Sequence, residues 1–121
     1  FPFQMSSSNL VMYIILRRDL ISALNWPVGA VATQAAHAAT AALWTFREDA
    51  ETVKYMEDMD NMHKVTLGVD SEAELDAARE KLEKKNLLHR VWVEDGMRVA
   101  IALKPYPKNT AKDATRQLKL F

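Results

Sequence analysis

Two short stretches concentrate side chains able to do acid–base or anion chemistry. Arg17-Arg18-Asp19 follows directly on a run of apolar residues. If that run is a strand, the three residues sit at its carboxyl end, where open α/β sheets form their sites. Pro27-Val28-Gly29 nearby reads as a helix start. Unpaired N–H groups and the helix dipole there favour phosphate or an oxyanion, with Arg17 or Arg18 assisting. The bland alternative is a solvated strand end with Asp19 capping a turn. The second stretch holds Gln34 and His37, three residues apart and so neighbours on a helix surface. A neutral imidazole there can take a proton from water or orient one. Its alternative is a buried histidine satisfied by Gln34 or a backbone carbonyl.

The elements that position these groups are legible in outline. Leu10 to Leu16 is continuously apolar and partly β-branched, as in a strand buried on both faces. Val28 to Arg47 is crowded with alanine and predicts a long helix, with Val31, Ala35, Ala38 and Ala42 as its apolar stripe. Glu48 to Asp60 predicts a second, acidic helix, and His63 to Val69 alternates like a strand. Ser71 with Glu74 forms a capping box before Leu75, Ala78 and Leu82, and Asn86 is a left-handed stop. Arg90 to Glu94 and Met97 to Leu103 flank Asp95-Gly96, a strong hairpin signal. Lys108 to Gln117 predicts a last short helix. The order implies a mixed sheet of four strands, the first two parallel and the last antiparallel, with helices on both faces.

Composition narrows the chemistry. The chain has 121 residues, no cysteine and a formal net charge of zero. Disulfides, a thiolate nucleophile and a cysteine zinc site are excluded. His63 and His89 share no ligand spacing with His37, so no metal is expected. Three glycines make no phosphate-cradling loop, and no nucleophile elbow surrounds any serine. The longest apolar run is far short of the ~20 residues that span a bilayer. Met5 is read as the native start. Residues 1–4 are then a foreign leader and 6–9 a loose lead-in, leaving 10–121 as one domain. Trp26, Trp44 and Trp92 read as packing anchors, Trp26 standing nearest the helix start.

Arg17-Arg18-Asp19-Leu20 and the stretch from Gly29 to Ala38 resemble the type 2 peptidyl-tRNA hydrolase family. That family pairs an Arg-x-Asp-Leu strand end with a Gly-Lys-aliphatic-Ala-x-Gln-x-x-His-Ala helix start. Leu103-Lys104-Pro105-Tyr106-Pro107 and the closing Leu118-Lys119-Leu120-Phe121 resemble its final strand and tail. Trp26-Pro27 and the Lys-Pro-Tyr-Pro ending are most similar to a divergent branch, the peptidyl-tRNA hydrolase domain-containing proteins. The resemblance implies a three-layer α/β/α sandwich on a four-stranded mixed sheet. It also implies hydrolysis of the ester joining a peptide to the 3′ ribose of tRNA, without a cofactor.

On that basis Asp19 and His37 would position or deprotonate water, Gln34 would orient His37, and the N–H groups near Gly29 would stabilise the oxyanion. Arg17, Arg18 and Lys104 would supply positive charge to the substrate. Asp95, or its neighbour Glu94, would match the family's acidic residue. Two family groups do not carry over: its lysine is Ala30 here, and its threonine in the last strand is Val99. A non-catalytic RNA-binding descendant is one alternative. A protein-interaction module using the acidic segment is another. The charges are segregated: residues 48–60 hold six acids against Lys54, and residues 104–119 hold five bases against Asp113. A tRNA partner is therefore expected on the basic C-terminal side, in the cytoplasm and away from membranes, with a dimer left open.

Overall fold

The computed structural model describes residues 9–121; the expected leader and most of the lead-in lie outside the described residues. Strand β1 (Leu10–Arg17) is buried along its whole length. It lies mid-sheet, in the order β3-β4-β1-β2-β6, where β2 is Lys64–Val69, β3 His89–Glu94, β4 Met97–Leu103 and β6 Lys119–Leu120. The central position explains the unbroken apolar run. β1 pairs parallel with β2 and antiparallel with β4. The expected count of four strands is too low. Two-residue β5 (Tyr106–Pro107) pairs with β1, and β6 pairs with β2. Neither carries enough residues to show alternation, so only their partners reveal them.

Helices cover both faces. Among the described residues these are α1 (Asp19–Ser22), α2 (Val28–Thr45), α3 (Ala50–Glu57), a 3₁₀ turn at Met59–Asn61, α4 (Glu72–Lys84) and α5 (Lys108–Ala114). On one face Met12, Ile14 and Leu16 pack with Val31, Ala38 and Ala42 of α2 and Tyr55 of α3. On the other, Val11, Tyr13 and Ile15 pack with Leu75, Ala78 and Leu82 of α4 and Ala111 and Ala114 of α5. Alanines on the α2 stripe bring its backbone close to the sheet.

Local signals set the boundaries. The Ser71 hydroxyl accepts from the Glu74 N–H, while the Glu74 carboxylate reaches the N–H of Asp70 rather than that of Ser71. Asn86 is left-handed at φ 56° and ends the α4 region. Asp95 and Gly96 both have positive φ, 51° and 76°, the geometry of a tight hairpin turn. Pairing runs Trp92 with Ala100 and then Val93 with Arg98, so Val99 is an extra residue in β4. Such a bulge bends the ribbon and re-aims nearby side chains.

Candidate active site

At the carboxyl end of β1, Arg17 is buried. Its Nε and Nη2 donate to the two Asp19 carboxylate oxygens at 2.9 and 2.7 Å. Nη1 donates to the Arg98 carbonyl at 3.1 Å, with Glu72 at 4.0 Å. The Asp19 hydrogen bonds, opposed by burial, raise the Arg17 pKa above its already high ordinary value. A fork-to-fork pair of this kind fixes geometry. It also engages both Asp19 oxygens. Beside it Arg98 holds Asp76 at 2.7 and 2.9 Å. Arg18 pairs with Asp70 at 3.0 Å and donates to the Leu120 carbonyl. Its guanidinium lies directly over Gly68, where an added Cβ would meet it at 2.5 Å. Both expected anion-binding arginines therefore already hold partners within the chain.

The start of α2 is open. Pro27 precedes it and supplies no side-chain cap. Ala30 and Val31 N–H groups bond to the Pro27 carbonyl. The N–H groups of Val28 and Gly29 have no acceptor among the described residues. A Cβ built on Gly29 would meet nothing within 4 Å, so the space beside this glycine is open.

A second cluster lies further along α2, on the opposite face of the sheet from Arg17. Gln34 is 5% exposed, and its Nε2 donates to the Ala30 carbonyl at 3.1 Å. Its Oε1 accepts from the Trp92 Nε1 at 3.1 Å, and that N–H is shared with Glu94 Oε1 at 3.2 Å. His37 is exposed, and its ring sits on the Trp92 indole with centroids 4.9 Å apart, tilted by 35°. Gln34 thus reaches His37 through the indole and not by a direct hydrogen bond. The arrangement fixes one face of the imidazole and leaves the ring open to solvent, as a general base needs.

The remaining expected residues are spread out. Glu94 meets the Gln34–Trp92 pair, whereas Asp95 stands exposed at the hairpin tip. No hydrogen bond joins Asp19 to Gln34 or His37. Lys104 follows β4, level with the start of β1, at the other end of the sheet from Arg17. It is 3% exposed. Its Nζ lies 2.6 Å from Glu51 Oε1 and 3.0 Å from Asp49 Oδ2, donates to the Pro105 carbonyl at 2.9 Å, and sits 3.9 Å from the Tyr106 ring centroid. Burial raises the Asp49 pKa, but Lys104 and the N–H groups of Thr52 and Glu51 more than offset it, leaving that carboxyl below its ordinary value.

Trp92 is the residue that sequence reasoning missed, having been read as a packing anchor. The available signal was its alternation with Glu94 on one strand face just before the hairpin. On the far side, a groove of about 300 Å³ between α4 and α5 carries Lys81, Lys84, Lys85 and Arg116 around Asp113. No group of three or more metal-ligating side chains occurs among the described residues, and no helix there is long and apolar enough to cross a membrane.

The chain is 42% identical over 115 residues to the human protein named "Putative peptidyl-tRNA hydrolase PTRHD1", covering 93% of this chain and 82% of that one. The mouse protein of the same name is 41% identical with the same coverage. Among solved structures, Atu0240 from Agrobacterium tumefaciens, a protein of unknown function, superimposes with a TM-score of 0.57 at 13% identity. That match covers 93% of this chain and 98% of the other, and it concerns the fold alone. The family model described as peptidyl-tRNA hydrolase PTH2 matches residues 10–121, the whole of the sheet and its helices, and the chain belongs to that family.

Proposed function

We propose that this chain hydrolyses the ester between a peptide or amino acid and the 3′ ribose of tRNA, using a site rearranged around His37. The observation that carries the proposal is the exposed His37 imidazole seated on an indole that Gln34 and Glu94 hold in place. His37 takes a proton from water as that water attacks the ester carbonyl. The tetrahedral intermediate then collapses with loss of the ribose oxygen, to which the proton is returned. Gln34, Trp92 and Glu94 act through His37 as positioning residues.

Gly29 precedes His37 by eight residues, about 12 Å along a helix axis. That span is too long for both to address one carbonyl oxygen. The Val28 and Gly29 amides are therefore assigned to carbonyl groups of the peptide portion rather than to the oxyanion. Arg17 and Asp19 brace the end of β1. The basic groove between α4 and α5 offers charge for tRNA phosphates, since phosphate contacts need local rather than total positive charge.

One observation favours a second reading, tRNA binding without catalysis. Ala30 puts no cation in the first turn of α2, and Val99 is a buried apolar residue. Release of labelled peptide from peptidyl-tRNA by the purified protein separates the two. His37→Ala is expected to lose about 10²–10⁴-fold in kcat, the range for a general base. Full activity in His37→Ala would sink the site assignment. Salt-dependent tRNA binding with no release by the wild type would establish the second reading. Ala30→Lys is expected to raise the rate if a missing cation limits it.

A further inference from the structure

A groove of about 480 Å³ runs from the candidate site along the outer side of α2 and the edge strand β3. Thr33, His37, Thr40, Trp44, Arg90 and Trp92 line it. His37 and Trp92 belong to the site already described, so the groove is continuous with it. Trp44 stands at its far end, 68% exposed, with the Arg47 guanidinium 4.3 Å from its ring centroid. Arg90 donates to the Thr45 hydroxyl at 2.6 Å. Neither Arg90 nor Arg47 forms an ion pair with a described residue, and no carboxylate lines the groove.

We infer that this groove holds the unpaired 3′-terminal nucleotides of the RNA substrate, with a base stacked on the Trp44 face that Arg47 leaves free and a backbone phosphate on Arg90. The inference rests on the hydrolase reading and gives it a direction. The ester lies at His37, the RNA runs from there toward Trp44, and the peptide runs toward the start of α2. Single-stranded nucleic acid is gripped by such a combination of aromatic faces and local positive charge. His37 and Trp44 are seven residues apart, about 10 Å along the axis, which accommodates several bases at a stacked rise of about 3.4 Å. The Thr33 hydroxyl, which donates to the Gly29 carbonyl at 2.9 Å, is left as an acceptor, and Thr40 adds a second hydroxyl, neither bringing negative charge. A protein ligand is the disfavoured occupant, because Arg90, the one fixed charge among the lining residues, is cationic and Trp44 offers an open ring face.

The test uses a six-nucleotide single-stranded RNA with a free 3′ hydroxyl, followed by quenching of tryptophan fluorescence. The wild type is expected to be quenched on binding. Trp44→Ala and Arg90→Gln, both at exposed positions, are each expected to bind about tenfold more weakly. In peptide release the same variants should raise KM by a similar factor with kcat nearly unchanged. Oligonucleotide affinity unchanged in both variants overturns the inference. So does equal competition by a blunt RNA duplex, which offers phosphates without free base faces. Specific, Trp44-dependent binding by a wild type that releases no peptide supports the groove and overturns the hydrolase reading alone.

Discussion

Replacing Lys104 by methionine tests how far its ammonium holds α3 to the sheet. Methionine matches the side chain as far as Cε and removes the terminal ammonium, with its charge and its hydrogen bonds to Glu51 and the Pro105 carbonyl. In the native state that charge lies 2.6 Å from Glu51 and 3.0 Å from Asp49, in a position 3% exposed. Removing one partner of a buried ion pair costs about 3–5 kcal/mol, since the other is left uncompensated. The Glu51 and Asp49 side chains retain 38% and 30% exposure and can rehydrate, which points to the lower end. A loss of about 3 kcal/mol corresponds to a fall in Tm of roughly 10 °C for a domain of this size.

Thermal and urea unfolding followed by circular dichroism would read both, with the urea m-value unchanged. A cycle with Glu51→Gln should return a coupling above about 1 kcal/mol. The sign with pH is also set. Asp49 has a depressed pKa in the folded state. Its contribution is present above the unfolded-state value and is lost as pH falls through the folded one. The gap between wild type and variant should therefore narrow below about pH 4. A Tm within about 2 °C of wild type, or zero coupling, would refute the reasoning.

Three further outcomes are expected. Trp92→Phe keeps the ring under His37 but removes the N–H shared by Gln34 and Glu94; kcat should fall several-fold with stability lowered by about 1 kcal/mol, read by peptide release and urea melts. Tyr55 is 1% exposed and donates to the His63 carbonyl, and burial pushes its phenol up to about 12 from 10.0. Its raised value gives stability that is complete below pH 10 and lost as pH approaches 12, on the order of 2–3 kcal/mol; Tyr55→Phe should abolish that slope in alkaline urea titrations. Gly68→Ala should displace the flexible Arg18 end, breaking its bonds to Asp70 and Leu120 at a cost below about 1 kcal/mol, and amide exchange should quicken at Leu120 and Phe121.

Elements whose signals are local were legible from the chain alone. The apolar run of β1, the Ser71 cap, Asn86 and the Asp95-Gly96 turn each depend on a few neighbouring residues. The predicted acidic helix is shorter than expected, because Asp49 caps α3 late and the chain tightens to 3₁₀ after Asp58. Features built by distant residues were not legible. Trp92 meets Gln34 across 58 positions, and Lys104 meets Glu51 across 53. A lysine beside a Pro-Tyr-Pro segment gives no hint that two carboxylates on another element will claim it. β5 and β6 exist only as additions to strands already in place.

The two margins of the sheet meet one hazard in different ways. An unpaired strand edge is a template on which further chains can add and polymerise. At the β2 margin two residues of β6 fill the vacancy, held by Arg18 on the Leu120 carbonyl and by the Phe121 N–H on Thr66. Among the described residues no strand covers the β3 margin. It is instead bent where Val99 interrupts the pairing opposite Trp92. That bend puts Trp92 under His37 and also spoils the flat register that an incoming strand requires. One inserted residue thus stands beside both the unpaired margin and the seat of the imidazole, and straightening the ribbon would alter the two together.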